Sequence, residues 1–133
     1  MITESARDND APVWNSRSNS AGWRLYLGDL FGAPNLPCYA AAAREEDYSH
    51  LPPTVTFVGD LEPFRDETVQ YVANLRSAGV PVDFRLYPGC YHGFDQVCPQ
   101  AEVSKQATLF LMTAFQHAVK HCFAEQPRQE AHS

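Results

Sequence analysis

Two short runs rich in β-branched and aromatic residues, Thr54-Val55-Thr56-Phe57-Val58 and Val82-Asp83-Phe84-Arg85-Leu86, flank one helix-length segment. That spacing constrains the fold more than any other feature of the chain. Strands joined by a tight turn pair antiparallel, whereas strands joined by a helix return to the same end of the sheet and pair parallel. Pro52-Pro53 introduces the first run and Gly59-Asp60 stops it, as strand boundaries require. Pro63 suits the first turn of the following helix, with Glu62 at the N-cap place. Val69, Val72 and Leu75, with Ala73 beside them, form its apolar stripe, and Gly79 is the natural stop. Pro88-Gly89 closes the second strand. Ala101 to Phe123 then repeats apolar residues at helical spacing: Val103, Ala107, Phe110, Ala114 and Ala118, widened by Leu111, Phe115 and Val119. The chain is therefore expected to be α/β, two parallel strands in a βαβα unit with a long C-terminal helix.

Upstream, residues 1–19 are rich in Asn, Asp, Ser and Arg and read as loop or extended arm. Ser20 to Gly28 predicts a short helix capped by Ser20, with Trp23 and Leu27 on one face. These signals divide the chain into a loop-rich arm over 1–52, the βαβα unit over 53–125 and a polar tail over 126–133. One physical mismatch stands out. Parallel sheets normally have both faces covered, and two short strands cannot bury the apolar face of so long a helix. Either more sheet is expected elsewhere, supplied by a complementary N-terminal half or by a second copy of the chain, or the fragment is expected to be poorly stable alone.

Composition excludes several function classes. A net charge of −6 leaves no basic surplus to neutralise phosphates, so nucleic acid is not an expected partner. No run approaches the roughly 18 to 20 apolar residues of a membrane helix, and from the polar, acidic start no secretory signal is expected. A cytoplasmic location follows as the default expectation. In a reducing compartment the four cysteines, Cys38, Cys90, Cys98 and Cys122, are expected as free thiols. Cys90, His92 and Cys98 offer three zinc-ligand types without a Cys-x-x-Cys pair or a matching second half. Neither a metal nor any other cofactor is expected.

The chemistry-bearing residues gather after the two strands. His92 lies in Gly89-Cys90-Tyr91-His92-Gly93-Phe94, beyond the carboxyl end of the second strand, the edge where α/β sheets carry ligands and catalytic groups. Imidazole is the side chain best suited to proton transfer near neutral pH. Asp60 ends the first strand and Glu62 follows it. Either carboxylate could accept from the histidine Nδ1–H, fix its tautomer and stabilise the imidazolium. Asp66 and Glu67 read as a solvated first helical turn, with Arg65 available to pair with a carboxylate. His50, His117, His121 and His132 lack such surroundings. The nearest approach to a Gly-x-Ser-x-Gly elbow, Ser18-Asn19-Ser20-Ala21-Gly22, lacks the leading glycine and a preceding strand.

Glu62-Pro63-Phe64-Arg65-Asp66-Glu67 and Tyr87-Pro88-Gly89-Cys90-Tyr91-His92-Gly93-Phe94 closely resemble two segments of the hormone-sensitive-lipase-like esterases, the fold-3 type of α/β-hydrolase. Trp14-Asn15, Trp23, Tyr26-Leu27-Gly28, Tyr39-Ala40-Ala41 and Leu51-Pro52-Pro53 look like that family's connecting segments. The resemblance implies the C-terminal part of an α/β-hydrolase sheet, its last two strands, acting on small carboxylic esters through a serine triad. It implies that His92 is the base and Glu62 the acid, in a place usually held by aspartate, with Asp60 as the other candidate. The family's serine elbow and oxyanion glycines have no counterpart among the 133 residues. The resemblance therefore implies a carboxylesterase portion without a nucleophile. The alternative is an inactive or complementing fragment that acts only with a partner chain.

Overall fold

The computed structural model describes residues 4–122. Helix α1 (Ser16–Leu27) is followed by short 3-10 turns and then by strand β1 (Thr54–Gly59). Helix α2 (Arg65–Ser77), strand β2 (Val82–Tyr87), one-turn helix α3 (Phe94–Val97) and helix α4 (Glu102–His121) complete the order. The two strands pair parallel, from Thr54 opposite Val82 to Gly59 opposite Tyr87. The βαβα unit with its long C-terminal helix is thus the observed architecture.

Alternation along the strands sends their residues to two cores. On one face Phe57 and Tyr87 pack with Cys90, Phe94, Val103 and Ala107, so this face lies under α3 and α4. On the other, Val82 packs with Tyr48, Tyr71, Leu75 and Val80, under α2. Leu75 and Ala107 are both fully buried, one in each core. Ser104, buried beside Ala107, donates its hydroxyl to the Phe94 carbonyl, 3.2 Å, and ties α4 to α3.

Several expectations are corrected. Helix α1 begins at Ser16, four residues before Ser20, because the Asn15 side chain accepts from the amides of Arg17 and Ser18 and nucleates the turn inside the stretch read as loop. Helix α2 begins at Arg65 after Phe64, which caps it without a side-chain bond. Glu62 is not its N-cap: the carboxylate turns away toward the following loop. In α2 the buried face is Val72 and Leu75 with half-buried Thr68 and Tyr71, while Val69 and Ala73 are exposed. In α4, Val103, Ala107, Phe110, Leu111, Ala114 and Ala118 face inward to differing degrees, but Phe115 and Val119 are exposed, Phe115 by 61%. Two strands are too narrow to cover the wider stripe. Phe123 and the tail from residue 126 lie outside the described residues. All four cysteines are unbridged, and Cys90 is buried.

The first turn of α2 is half-buried, and Arg65 finds the carboxylate partner expected of it. Asp66 pairs with Arg65, Nε to Oδ1 2.8 Å, and accepts the Ser5 amide at 2.7 Å. The Arg65 hydrogen bond, with the Ser5 amide behind it, holds Asp66 below the usual carboxylate range. Burial does the opposite to Glu67 and raises its pKa above the ordinary 4.5. The two therefore contribute stability of opposite pH sense. Asp66 stabilises above its ordinary value and loses that contribution as pH falls through its depressed one. Glu67 favours the fold at acid pH and loses that contribution as pH rises through its raised value. Glu67→Gln is expected to melt higher than the parent at pH 7 and to match it below pH 4.5. A lower melting temperature at pH 7 would refute the desolvation account. Thermal melts across that range decide it.

Candidate active site

The loop after β2 is folded back over the end of β1 by main-chain contacts. The Asp60 amide donates to the Tyr87 carbonyl, 3.1 Å, and the Leu61 amide to the Cys90 carbonyl, also 3.1 Å. This crossing needs the absence of a side chain at residue 59. A Cβ there would stand 2.2 Å from the Cys90 carbonyl oxygen and 2.7 Å from its carbon. Gly59 is therefore more than a strand stop. It lets two backbones touch, and the contact sets where the histidine loop lies.

Asp60 fastens the same loop from its side chain, its Oδ1 accepting the Gly89 amide at 2.7 Å. Gly89, at φ 72°, and Gly93, at φ 71°, adopt left-handed backbone on either side of Cys90-Tyr91-His92, a conformation open to glycine at little cost. Phe94 anchors the far end in the core beneath α4. Asp60→Ala removes the Gly89 anchor and is expected to cost about 1 kcal/mol. Urea unfolding should show that loss, together with faster hydrogen exchange at the Gly89 amide. Unchanged exchange would mean that the bond does not hold the loop.

The two motifs meet in one contact. The His92 Nδ1 lies 2.6 Å from Glu62 Oε2. Glu62 is 7% exposed, whereas the His92 side chain is 43% exposed. A carboxylate oxygen at that distance makes Nδ1 the hydrogen-bearing nitrogen and leaves the Nε2 lone pair to accept a proton. The extra methylene of glutamate is accommodated because Glu62 sits in the irregular turn before α2, outside helical geometry. Asp60, the other candidate, is engaged with Gly89.

Two aromatic rings pack beside this pair, and neither was singled out for such a role from the sequence. Phe64 meets the imidazole edge-on at 5.5 Å between ring centres, and Trp14 lies 6.2 Å from it. Trp14 also stacks on Phe64 at 6.4 Å. Its backbone is set by a three-residue turn in which the Trp14 amide donates to the Pro12 carbonyl, 2.8 Å, around Val13 at φ 69°. A β-branched residue there is strained. Phe64 had a local signal, being two residues from Glu62. Trp14 had only the resemblance of Trp14-Asn15 to a connecting segment, and nothing local pointed to His92, 78 residues away.

Elsewhere two open clefts flank the sheet. One of about 770 Å³ lies between the strand starts and the outer half of α4, lined by Val55, Val82, Arg85, Phe110 and His117 among others. Another of about 590 Å³ lies between α1, β1 and α2, lined by Trp23, Leu27, Phe64 and Tyr71 among others. Neither is lined by Glu62 or His92. Buried Glu62 and the half-exposed imidazole of His92 sit together at the carboxyl ends of the strands. Among the described residues no cluster of three or more His, Cys, Asp or Glu side chains is arranged to hold a metal ion.

A family model for the alpha/beta hydrolase fold matches residues 2–96, most of the chain. The chain belongs to the α/β-hydrolase family. Solved esterases agree with the assignment. A bacterial heroin esterase is 34% identical with a TM-score of 0.82, over 86% of this chain and 37% of its own length. The esterase LipW from Mycobacterium marinum is 28% identical with a TM-score of 0.75, over 87% and 35% respectively. An esterase from Pyrobaculum calidifontis shares the fold at 24% identity and a TM-score of 0.77, covering 90% of this chain and 39% of its own. No curated protein matches the chain by sequence. The chain thus spans between a third and two fifths of the solved structures it resembles. No helix among the described residues is long and apolar enough to cross a membrane.

Proposed function

We propose that this chain supplies the general base, His92, and its orienting acid, Glu62, to a serine-type hydrolase of small carboxylic esters. The observation that carries the reading is the 2.6 Å contact from His92 Nδ1 to the buried Glu62. In the reaction, His92 Nε2 takes the proton of a serine hydroxyl as its oxygen bonds to the ester carbonyl carbon. Glu62 stabilises the imidazolium, and His92 then protonates the departing alkoxide as the carbon–oxygen bond breaks. Water repeats the sequence on the acyl-serine and releases the acid. The serine and the donors that stabilise the oxyanion come from a segment with no counterpart in the 133 residues. Asp60 positions the histidine loop through Gly89.

The test grafts residues 14–122 in place of the matching segment of the bacterial heroin esterase and measures hydrolysis of a short-chain aryl ester. The graft should hydrolyse the ester, and its His92→Ala variant should not. Equal rates would remove the proposed role.

A second reading, association with a complementary chain carrying the rest of the sheet, is favoured by the surface. Each strand has a single partner among the described residues, and α4 exposes Leu109, Met112 and Phe115. Free strand edges and contiguous apolar patches are what partner chains cover. Size-exclusion chromatography and near-UV circular dichroism test it. A compact monomer with fixed aromatic signals would argue against the association.

A further inference from the structure

Helix α4 ends in a pair of histidines that the proposed ester chemistry does not use. His117 and His121 are one helical turn apart, both exposed, and their ring centres lie 4.6 Å from each other at an interplanar angle of 38°. We propose that this pair is a chelating site for a divalent late first-row transition ion of the nickel or copper class. Imidazole is a preferred ligand of these ions, and the i, i+4 spacing puts two of them on one helix face.

The spacing of the rings suits one shared ion. A divalent ion held by imidazole lies about 2.1 Å from the nitrogen and so about 3.2 Å from the ring centre. Two rings meeting the ion at a right angle then have centres about 4.5 Å apart, and a tetrahedral angle opens them to about 5.2 Å. The observed separation of 4.6 Å is short enough for both rings to reach a single ion. The rings reach it already juxtaposed, so little ordering remains to be done on binding. No third described side chain completes the sphere, and the other positions go to water or to an exogenous ligand.

The site clamps the last turn of α4, just before the Cys122 amide closes the helix on the Ala118 carbonyl, 2.8 Å. Binding therefore stabilises helical structure as well as capturing the ion.

The test is a titration of the full chain with NiCl2 under reducing conditions, followed by calorimetry and by far-UV circular dichroism. One ion per chain is expected, with a rise in helical signal. His117→Ala and His121→Ala should each weaken binding at least tenfold and abolish the rise, while His132→Ala should leave both unchanged. Both histidines are exposed, so neither variant is expected to disturb folding. Unchanged affinity in the two variants, or loss of binding with His132→Ala, would overturn the proposal.

Discussion

Replacing His92 with alanine in the grafted hydrolase is expected to lower kcat/KM for a short-chain aryl ester by about 10⁴-fold. The imidazole is the group whose Nε2 exchanges the proton with serine and with the leaving alcohol, so no other side chain near Glu62 can take over the transfer. The substitution also leaves the Glu62 carboxylate, 7% exposed, without its partner. A buried charge stripped of its counterpart costs about 3–5 kcal/mol at most, so lost activity in this variant mixes chemistry with stability. Glu62→Gln separates them. The amide keeps the volume and a hydrogen bond, but it can offer N–H to Nδ1 and so favour the tautomer with the hydrogen on Nε2. The expected result is a fall in kcat of about 10³ to 10⁴ with KM and melting temperature nearly unchanged. A glutamine variant with parental kcat would remove Glu62 from the mechanism even if His92 remained essential.

Gly59→Ala is expected to be the most disruptive single methyl group in the chain. Its Cβ would sit 2.2 Å from a carbonyl oxygen that is backbone, not the end of a flexible side chain. Relief requires the Cys90 peptide to lift, which breaks the Leu61-to-Cys90 hydrogen bond and pulls on the Asp60-to-Tyr87 bond. Overpacking of this kind costs about 1–3 kcal/mol, and the lost hydrogen bond about 1 kcal/mol more. The displaced loop carries His92 away from Glu62. The grafted hydrolase should then lose most of its kcat along with a lower urea midpoint. A variant with the parental midpoint would mean that the loop does not rest on residue 59.

The two predictions draw on features of different visibility. The parallel pair, the helical crossover and the long final helix were legible because each is written in local periodicity. β-branched runs, a Pro-to-Gly helix segment and repeats at three and four residues leave few alternatives. The candidate acid and base were legible through motif spacing, which puts both at the carboxyl ends of the strands. Helix faces were read less well. Val69 and Ala73 obey the α2 period and are exposed, and Phe115 and Val119 do the same in α4. Periodicity reports what a helix offers, whereas burial depends on how much sheet lies opposite. The start of α1 was missed because Asn and Ser favour loops as readily as caps, and only the Asn15 side-chain bonds decide between them.

The amino-acid sequence by itself determined the class of fold, the parallel sense of the strands and the edge on which the chemistry-bearing residues gather. These depend on neighbours a few residues apart or on the length of one crossover. Only the tertiary structure decided that Glu62 meets His92 while Asp60 holds Gly89, that Trp14 packs beside the imidazole, and that Gly59 is the floor of the histidine loop. Those facts rest on contacts between segments far apart in the chain, where a difference of one methylene or one missing Cβ determines which groups touch.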